Sequence, residues 1–403
     1  MPSSYPYPDE QSWWNAYRDE VVQRYERAGR PFPPGYDFDA FKWWSRAAWD
    51  IGAGMEPDAA KRKHLRELER ALGLEPESVP IDLPALFRTP RVGASVYGDF
   101  GDPGWNYPEI ARILAGSGMQ LKRVWSWGGW RLDRPCRFPF LQAGDGRFKL
   151  FSWNESYFDE AERYVELHNS LGMLVQWTLV DMYAWHERKG PGIPGSTDQN
   201  FMPFRYNHDG IHWAGDRDLV YVLPDAWLTE FVERLVGRLK SYAVWWELGN
   251  EMPEKDFHRR MKDLVKRVHP AAVVTVSRNV DEPGQYGNMK IGRDYDRIAF
   301  HGWPRIMGMR QPDTAHTGRP ETFQDLFTRE GGSRIIVSSD GARSSNDNVN
   351  TFDWGPLLDS FRYAKSHGAS IEHMSRVKMV LHNEGRYDLS FIEQYFLQQL
   401  ASL

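Results

Sequence analysis

The run Trp245-Trp246-Glu247-Leu248-Gly249-Asn250-Glu251-Met252-Pro253 sets two carboxylates four residues apart beside a tryptophan pair. Alternation along a strand would turn Glu247 and Glu251 the same way. The Gly249-Asn250 pair breaks that strand, so Glu251 is expected at its rim. A carboxyl group against an indole-rich wall is poorly solvated, which raises its pKa and keeps it protonated, able to donate to a leaving oxygen. The plainer alternative is a glutamate at a helix N-terminus, since Pro253 suits the first turn of a helix. An Asn-Glu pair by itself does not choose between them.

A rim residue needs a scaffold that gathers strand ends. From Arg91 onward short β-rich runs alternate with amphipathic helical runs. The expected strands are Arg91–Tyr97, Leu121–Trp125, Leu174–Val180, Ala243–Leu248, Ala272–Ser277, Ile298–Phe300, Arg334–Val337 and Ser370–Met374. The expected helices are Tyr107–Ser117, Ser156–Leu171, Asp225–Leu239, Lys255–Val268, Thr351–His367 and Leu389–Leu400. Such alternation implies parallel strands, and eight of them imply a closed (β/α)8 TIM barrel of the α/β class; an open doubly wound sheet is second. No glycine-rich turn of the dinucleotide or P-loop kind follows any strand, which weakens the open sheet. Residues just past the strand ends of a barrel share one mouth. Here they include Asp99, Arg123, Trp125, Trp127, Asp181, Tyr183, Asn250, Glu251, His301, Trp303, Asp340 and Glu372. Glu372, placed after the eighth strand, is a reserve nucleophile with an i, i+4 pair to Arg376 as its plain alternative, and Asp99 is a comparable reserve carboxylate. Trp177, in mid-strand, reads as core.

The fourth-strand run resembles the acid/base motif of glycoside hydrolases of clan A, above all the family 5 cellulases and mannanases. Gly118-Met119-Gln120-Leu121-Lys122-Arg123-Val124 is similar to that family's second-strand run. Phe300-His301-Gly302-Trp303 resembles its sixth-strand motif, with Trp303 where an aromatic hydroxyl is expected. The resemblance implies an endo-acting polysaccharide hydrolase in which Glu251 is the acid/base and Arg123 holds the nucleophile carboxylate. Asn250 and His301 would orient the carboxylates and the sugar. It also implies a glutamate nucleophile at the end of strand seven, and there the chain departs. Ile335-Ile336-Val337-Ser338-Ser339-Asp340-Gly341 has no glutamate, which leaves Asp340 as nucleophile or base, or as a cap for the Ser344–Asn348 loop. Carboxyl groups ~5–5.5 Å apart give a covalent intermediate and retention, whereas ~6.5–9.5 Å admits a water and gives inversion. An aspartate is one methylene shorter than a glutamate, so three outcomes stay open: retention on an adjusted backbone, inversion, or a catalytically silent barrel serving carbohydrate binding or particle attachment. Asp181 and Tyr183 would hydrogen-bond sugar hydroxyls, and Trp125, Trp127 and Trp303 would stack on pyranose faces.

Composition narrows the partners. With 50 Lys and Arg against 55 Asp and Glu the net charge is −5, so there is no basic footprint for nucleic acid or an anionic membrane. The single cysteine, Cys136, excludes an internal disulfide and a cysteine-rich zinc cage, and the histidines are scattered over separate segments. No metal or cofactor is expected; a neutral or cationic polysaccharide is. Residues 1–85, with helical patterns at Ser12–Arg27, Asp39–Ile51 and Pro57–Leu74, are expected as a helical N-terminal extension, and residues 86–403 as the barrel. Packing on the barrel and a separate binding module are both compatible with that pattern. The first residues lack the basic and apolar regions of a secretory leader, and no window reaches the ~18 apolar residues of a membrane span. The expected location is cytoplasmic, or outside the cell by lysis or on a viral particle. The 18 tryptophans exceed what a core needs, and a stacking wall at the mouth would account for part of them.

Overall fold

The computed structural model describes residues 10–32, 46–48, 51, 57–72, 74, 89–96, 98–101, 105–126, 137–180, 207–210, 224–250, 255–279, 295–301, 327, 331–338, 354–375, 380–383, 386–389 and 397–402. The chain divides into two compact units, Met1–Pro80 and Ile81–Leu403.

In the first unit, α1 (Glu10–Arg27) and α2 (Pro57–Leu72) carry apolar stripes that meet. Trp13, Trp14, Tyr17, Val21 and Tyr25 pack with Leu65, Leu68 and Leu72 in one buried cluster. Arg24 pairs with Glu69 at 3.0 Å and Lys61 with Glu20 at 3.0 Å along its edge. The Asp39–Ile51 pattern falls mostly outside the described residues; positions 46–48 within it are helical.

The second unit is a (β/α)8 barrel. Its elements run β1 (Val92–Val96), α3 (Tyr107–Gly116), β2 (Leu121–Trp125), β3 (Phe140–Gln142), β4 (Phe148–Trp153), α4 (Glu155–Ser170), β5 (Leu174–Thr178), α5 (Asp225–Leu239), β6 (Val244–Glu247), α6 (Lys255–Val268), β7 (Val273–Asn279), β8 (Arg297–His301), β9 (Ile335–Ser338), α7 (Trp354–Ser366), β10 (Ser370–Ser375), β11 (Val380–Asn383) and β12 (Arg386–Leu389). Eight parallel strands close in the order β1-β10-β9-β8-β7-β6-β5-β2, so β1, β2 and β5 to β10 are the first to eighth barrel strands. β1, β2, β5, β6 and β9 are buried at every position, as a sheet covered by helices outside and by its own closure inside requires.

Alternation sorts the strand residues into two layers. Val124, Val175, Trp177, Trp246, Val274, Val276, Ile298 and Val337 join helix residues such as Tyr164, Phe231 and Val265 in the outer core. Leu121, Leu174, Ala243, Trp245, Val273, Ala299 and Ile336 form a separate cluster that contains no helix residue, the plug inside the barrel. Trp177, read as core, is fully buried, and its indole Nε1 donates to Ser126 Oγ at 2.8 Å.

Helix-to-strand turns reuse one device. α3 starts at Asn106, whose side chain accepts from Glu109 N, and ends where Gly118 (φ 82°) donates to Ala115 O and Met119 N to Leu114 O. After α4, Gly172 (φ 81°) donates to Asn169 O and Met173 N to His168 O. The left-handed glycine takes up the orphan carbonyls and turns the chain back into the sheet.

Two elements depart from the expectation. β3 and β4 form an antiparallel hairpin inside the β2–α4 connection, docked by Phe138, Phe140, Phe148 and Leu150 and by Trp227 Nε1 donating to Leu150 O at 2.9 Å. The expected helix Leu389–Leu400 is shorter: Arg386–Leu389 pairs with Val380–Asn383 as a second hairpin, and residues 397–401 are helical.

Candidate active site

Above the apolar plug the barrel interior becomes polar. Arg123 on β2, Gln176 and Thr178 on β5, and Glu247 at the end of β6 all point inward, because each stands two or four residues beyond a plug residue on the same strand. Arg123 grips Glu247 side-on, Nε donating to Oε2 and Nη2 to Oε1, both at 2.7 Å. Glu247 Oε2 also accepts from Gln176 Nε2 at 2.9 Å and from Thr178 Oγ1 at 2.7 Å. All four residues are fully buried. A buried ion pair recovers its desolvation penalty only when the remaining lone pairs and protons are satisfied, and this carboxylate receives four hydrogen bonds.

The same guanidinium reaches the loop beyond β6. Arg123 Nη2 donates to Asn250 Oδ1 at 2.6 Å. The backbone of that loop is tied at each residue: Leu248 N donates to Thr275 O at 2.9 Å, Ser277 Oγ to Gly249 O at 2.9 Å, and Asn250 N to Val180 O at 2.7 Å. Strands three, four and five therefore fix the path of the chain up to the residue before Glu251.

Across the barrel a second carboxylate, Glu372, sits in mid-β10, fully buried. Ser95 on β1 and Ser338 on β9 donate to its two oxygens. The expectation that Glu372 follows the strand is corrected: it lies inside the strand, clamped between its two neighbours; Arg376, its other expected partner, lies outside the described residues. Asp99 is also corrected. It faces the strand–helix layer, paired with Lys122 Nζ at 2.8 Å and accepting from Tyr164 OH at 3.1 Å. Burial pushes the Asp99 carboxyl up and the Lys122 ammonium down, with their mutual attraction opposing both shifts.

Of the other expected site residues, Arg123 and Asn250 are brought together as described. Trp125, expected on the stacking wall, is 2% exposed, with the Arg123 guanidinium 4.6 Å from its ring centre. His301 ends β8, paired in register with Ser338; its side chain lies outside the described residues. Glu251, Asp340, Asp181, Tyr183, Trp127 and Trp303 also lie outside them. Glu247 was considered in the sequence only for its direction. Its signal was there: Arg123, Gln176 and Thr178 put three hydrogen-bond donors at inward positions of the two preceding barrel strands. Among the described residues no group of three or more His, Cys, Asp or Glu is placed to hold a metal ion, and no helix is long and apolar enough to cross a membrane.

No protein-family model matches the sequence, and no curated protein matches it. Among solved structures the chain is similar to a broad-specificity endoglucanase of glycoside hydrolase family 5 subfamily 4 from an uncultured bacterium, with 12% identity over 79% of this chain and 96% of that chain and a TM-score of 0.49. It is similar also to the β-mannanase of the blue mussel Mytilus edulis, with 13% identity over 78% and 92% of the two chains and a TM-score of 0.45. Two further matches are from Bacteroides vulgatus, one of them a family 5 glycoside hydrolase, and the chain spans 52% and 61% of their lengths.

Proposed function

We propose that this protein is an endo-acting glycoside hydrolase that cleaves a neutral or cationic polysaccharide at the C-terminal mouth of the barrel. Glu251 donates a proton to the leaving glycosidic oxygen, and Asp340 serves as nucleophile or as base toward a water. Asn250 and His301 orient the carboxylates and the sugar, Arg123 orders the site from below with the buried Trp125 packed against it, and Asp181, Tyr183, Trp127 and Trp303 line the sugar path. The observation that supports this reading is the pinned Leu248-Gly249-Asn250 run beyond the fourth strand of a closed parallel barrel, which ends one residue before Glu251 in the chain.

Reducing-end release across a panel of β-mannan, β-glucan and chitosan tests it. The wild type is expected to cleave at least one of them. Glu251→Gln is expected to lose about 10²- to 10⁴-fold in kcat, the usual contribution of a positioned acid. Asp340→Asn is expected to abolish turnover with binding retained. No turnover by the wild type on any glycan, with binding preserved in Glu251→Gln, would favour the catalytically silent barrel instead.

A further inference from the structure

We infer that Glu247 is a positioning residue for proton donation: through Arg123 it fixes Asn250 and with it the backbone that bears Glu251. This inference rests on the reading of Glu251 as the acid and deepens it. The chain of contacts is short. Both oxygens of Glu247 are held by Arg123, and Oε2 is braced from β5 by Gln176 and Thr178. In this side-on arrangement the guanidinium also presents Nη2 to Asn250 Oδ1 at 2.6 Å. Glu251 is the next residue, so its Cα is ~3.8 Å from that of Asn250 along the chain.

Glu247 itself is fully buried beneath the loop, so it acts through its neighbours and touches no sugar. Two effects follow from its charge. The first is geometric, since an unbraced Arg123 no longer holds Asn250, and a misplacement of ~1 Å at a reacting group costs about 10²-fold in rate. The second is electrostatic. The Glu247–Arg123 pair is neutral as a whole, so removing the Glu247 charge makes the buried constellation that holds Asn250 one unit more positive. Added positive charge near the acid favours loss of its proton.

The test is Glu247→Gln, which keeps the shape and removes the charge, assayed on the glycan that the wild type cleaves best. The expected result is a fall in kcat of about 10- to 100-fold with KM nearly unchanged. With it, the basic limb of the kcat–pH profile, where the acid loses its proton, should move down by about one pH unit. A merely structural role would lower the melting temperature and leave that limb in place, and this outcome overturns the inference. So does movement of the acidic limb alone, which would tie Glu247 to the other carboxylate. If Glu247→Gln does not fold, Thr178→Val carries the test by removing one brace while keeping both charges. A loss of kcat at constant KM supports the inference and no loss overturns it. Failure of the functional reading is separable: it shows as an inactive wild type or an active Glu251→Gln, either of which removes both proposals, whereas an active wild type with an inactive Glu251→Gln and an unaltered Glu247→Gln removes only this one.

Discussion

Lys122 and Arg123 are consecutive, yet their charges serve opposite faces of the barrel wall. Arg123 points into the barrel and organises Glu247 and Asn250. Lys122 points outward, to Asp99 and the α4 residues behind the sheet. There it bears on His168, a buried helix residue whose Nδ1 donates to Tyr164 O at 2.7 Å. Burial, reinforced by the Lys122 charge, lowers the His168 pKa to about 3. The unfolded chain would hold that proton up to about pH 6.5. Between those values the unfolded state binds the extra proton, so stability is full above pH ~6.5 and is lost as the pH falls toward 3. From pH 7 to pH 5 this group is expected to remove about 2 kcal/mol. Urea titrations of the wild type and His168→Leu at both pH values check it: the variant should lose about that much less on acidification, and equal losses would refute the assignment. The sequence made Arg123, Asn250 and the inward turn of the fourth strand legible because alternation and a strand-breaking Gly-Asn pair are local signals. It did not disclose that Glu247 is Arg123's partner, or that Glu372 is clamped by serines of two flanking strands, because those contacts depend on which strands become neighbours at closure.

One joint of the ring leaves its strand little room. β1 pairs with β10 along its whole length, Val92 with Ile371 through Val96 with Ser375, but meets β2 in register only at Gly93 opposite Leu121. A Cβ at position 93 would lie 2.4 Å from Leu121 O and 2.6 Å from Leu121 Cβ. Backbone cannot yield as a side-chain tip can, so β1 and β2 would have to part at this joint. Gly93→Ala is therefore expected to destabilise the barrel by about 1–3 kcal/mol or more. A urea midpoint unchanged from the wild type would mean that this joint carries no strain. The eight barrel strands and the helices α3 to α6 were readable to within a few residues, since each has its own apolar period and a turn signal at its end. The β3–β4 hairpin was passed over although Phe148, Leu150 and the Gly144-Asp145-Gly146 turn carry a hairpin pattern; within a βα connection such a pattern looks like loop until Trp227 and Phe140 are seen to bury it. The terminal helix was overextended because Leu389 continues its apolar period, and pairing with Val380 draws that residue into a strand instead.

At the scale of the whole chain, the tryptophan excess resolves into two uses. Trp13 and Trp14 belong to the core of the first unit, and Trp105, Trp125, Trp177, Trp227, Trp245 and Trp246 are buried in the second. Packing accounts for these eight of the 18, and of the three tryptophans proposed for a stacking wall Trp127 and Trp303 lie outside the described residues. Each unit also has its own buried apolar cluster, with no residue shared between them. A unit with its own core carries its own driving force for folding. The polar constellation from Arg123 to Glu372 draws all its described members from the second unit. A fragment comprising residues 81–403 is accordingly expected to fold to the barrel and to keep the kcat/KM of the full chain on the same glycan. Far-ultraviolet circular dichroism and reducing-end assays of the two proteins side by side check this. A folded fragment with raised KM and unchanged kcat would assign the first 80 residues to glycan binding, and a fragment that does not fold would show that the barrel draws stability from them.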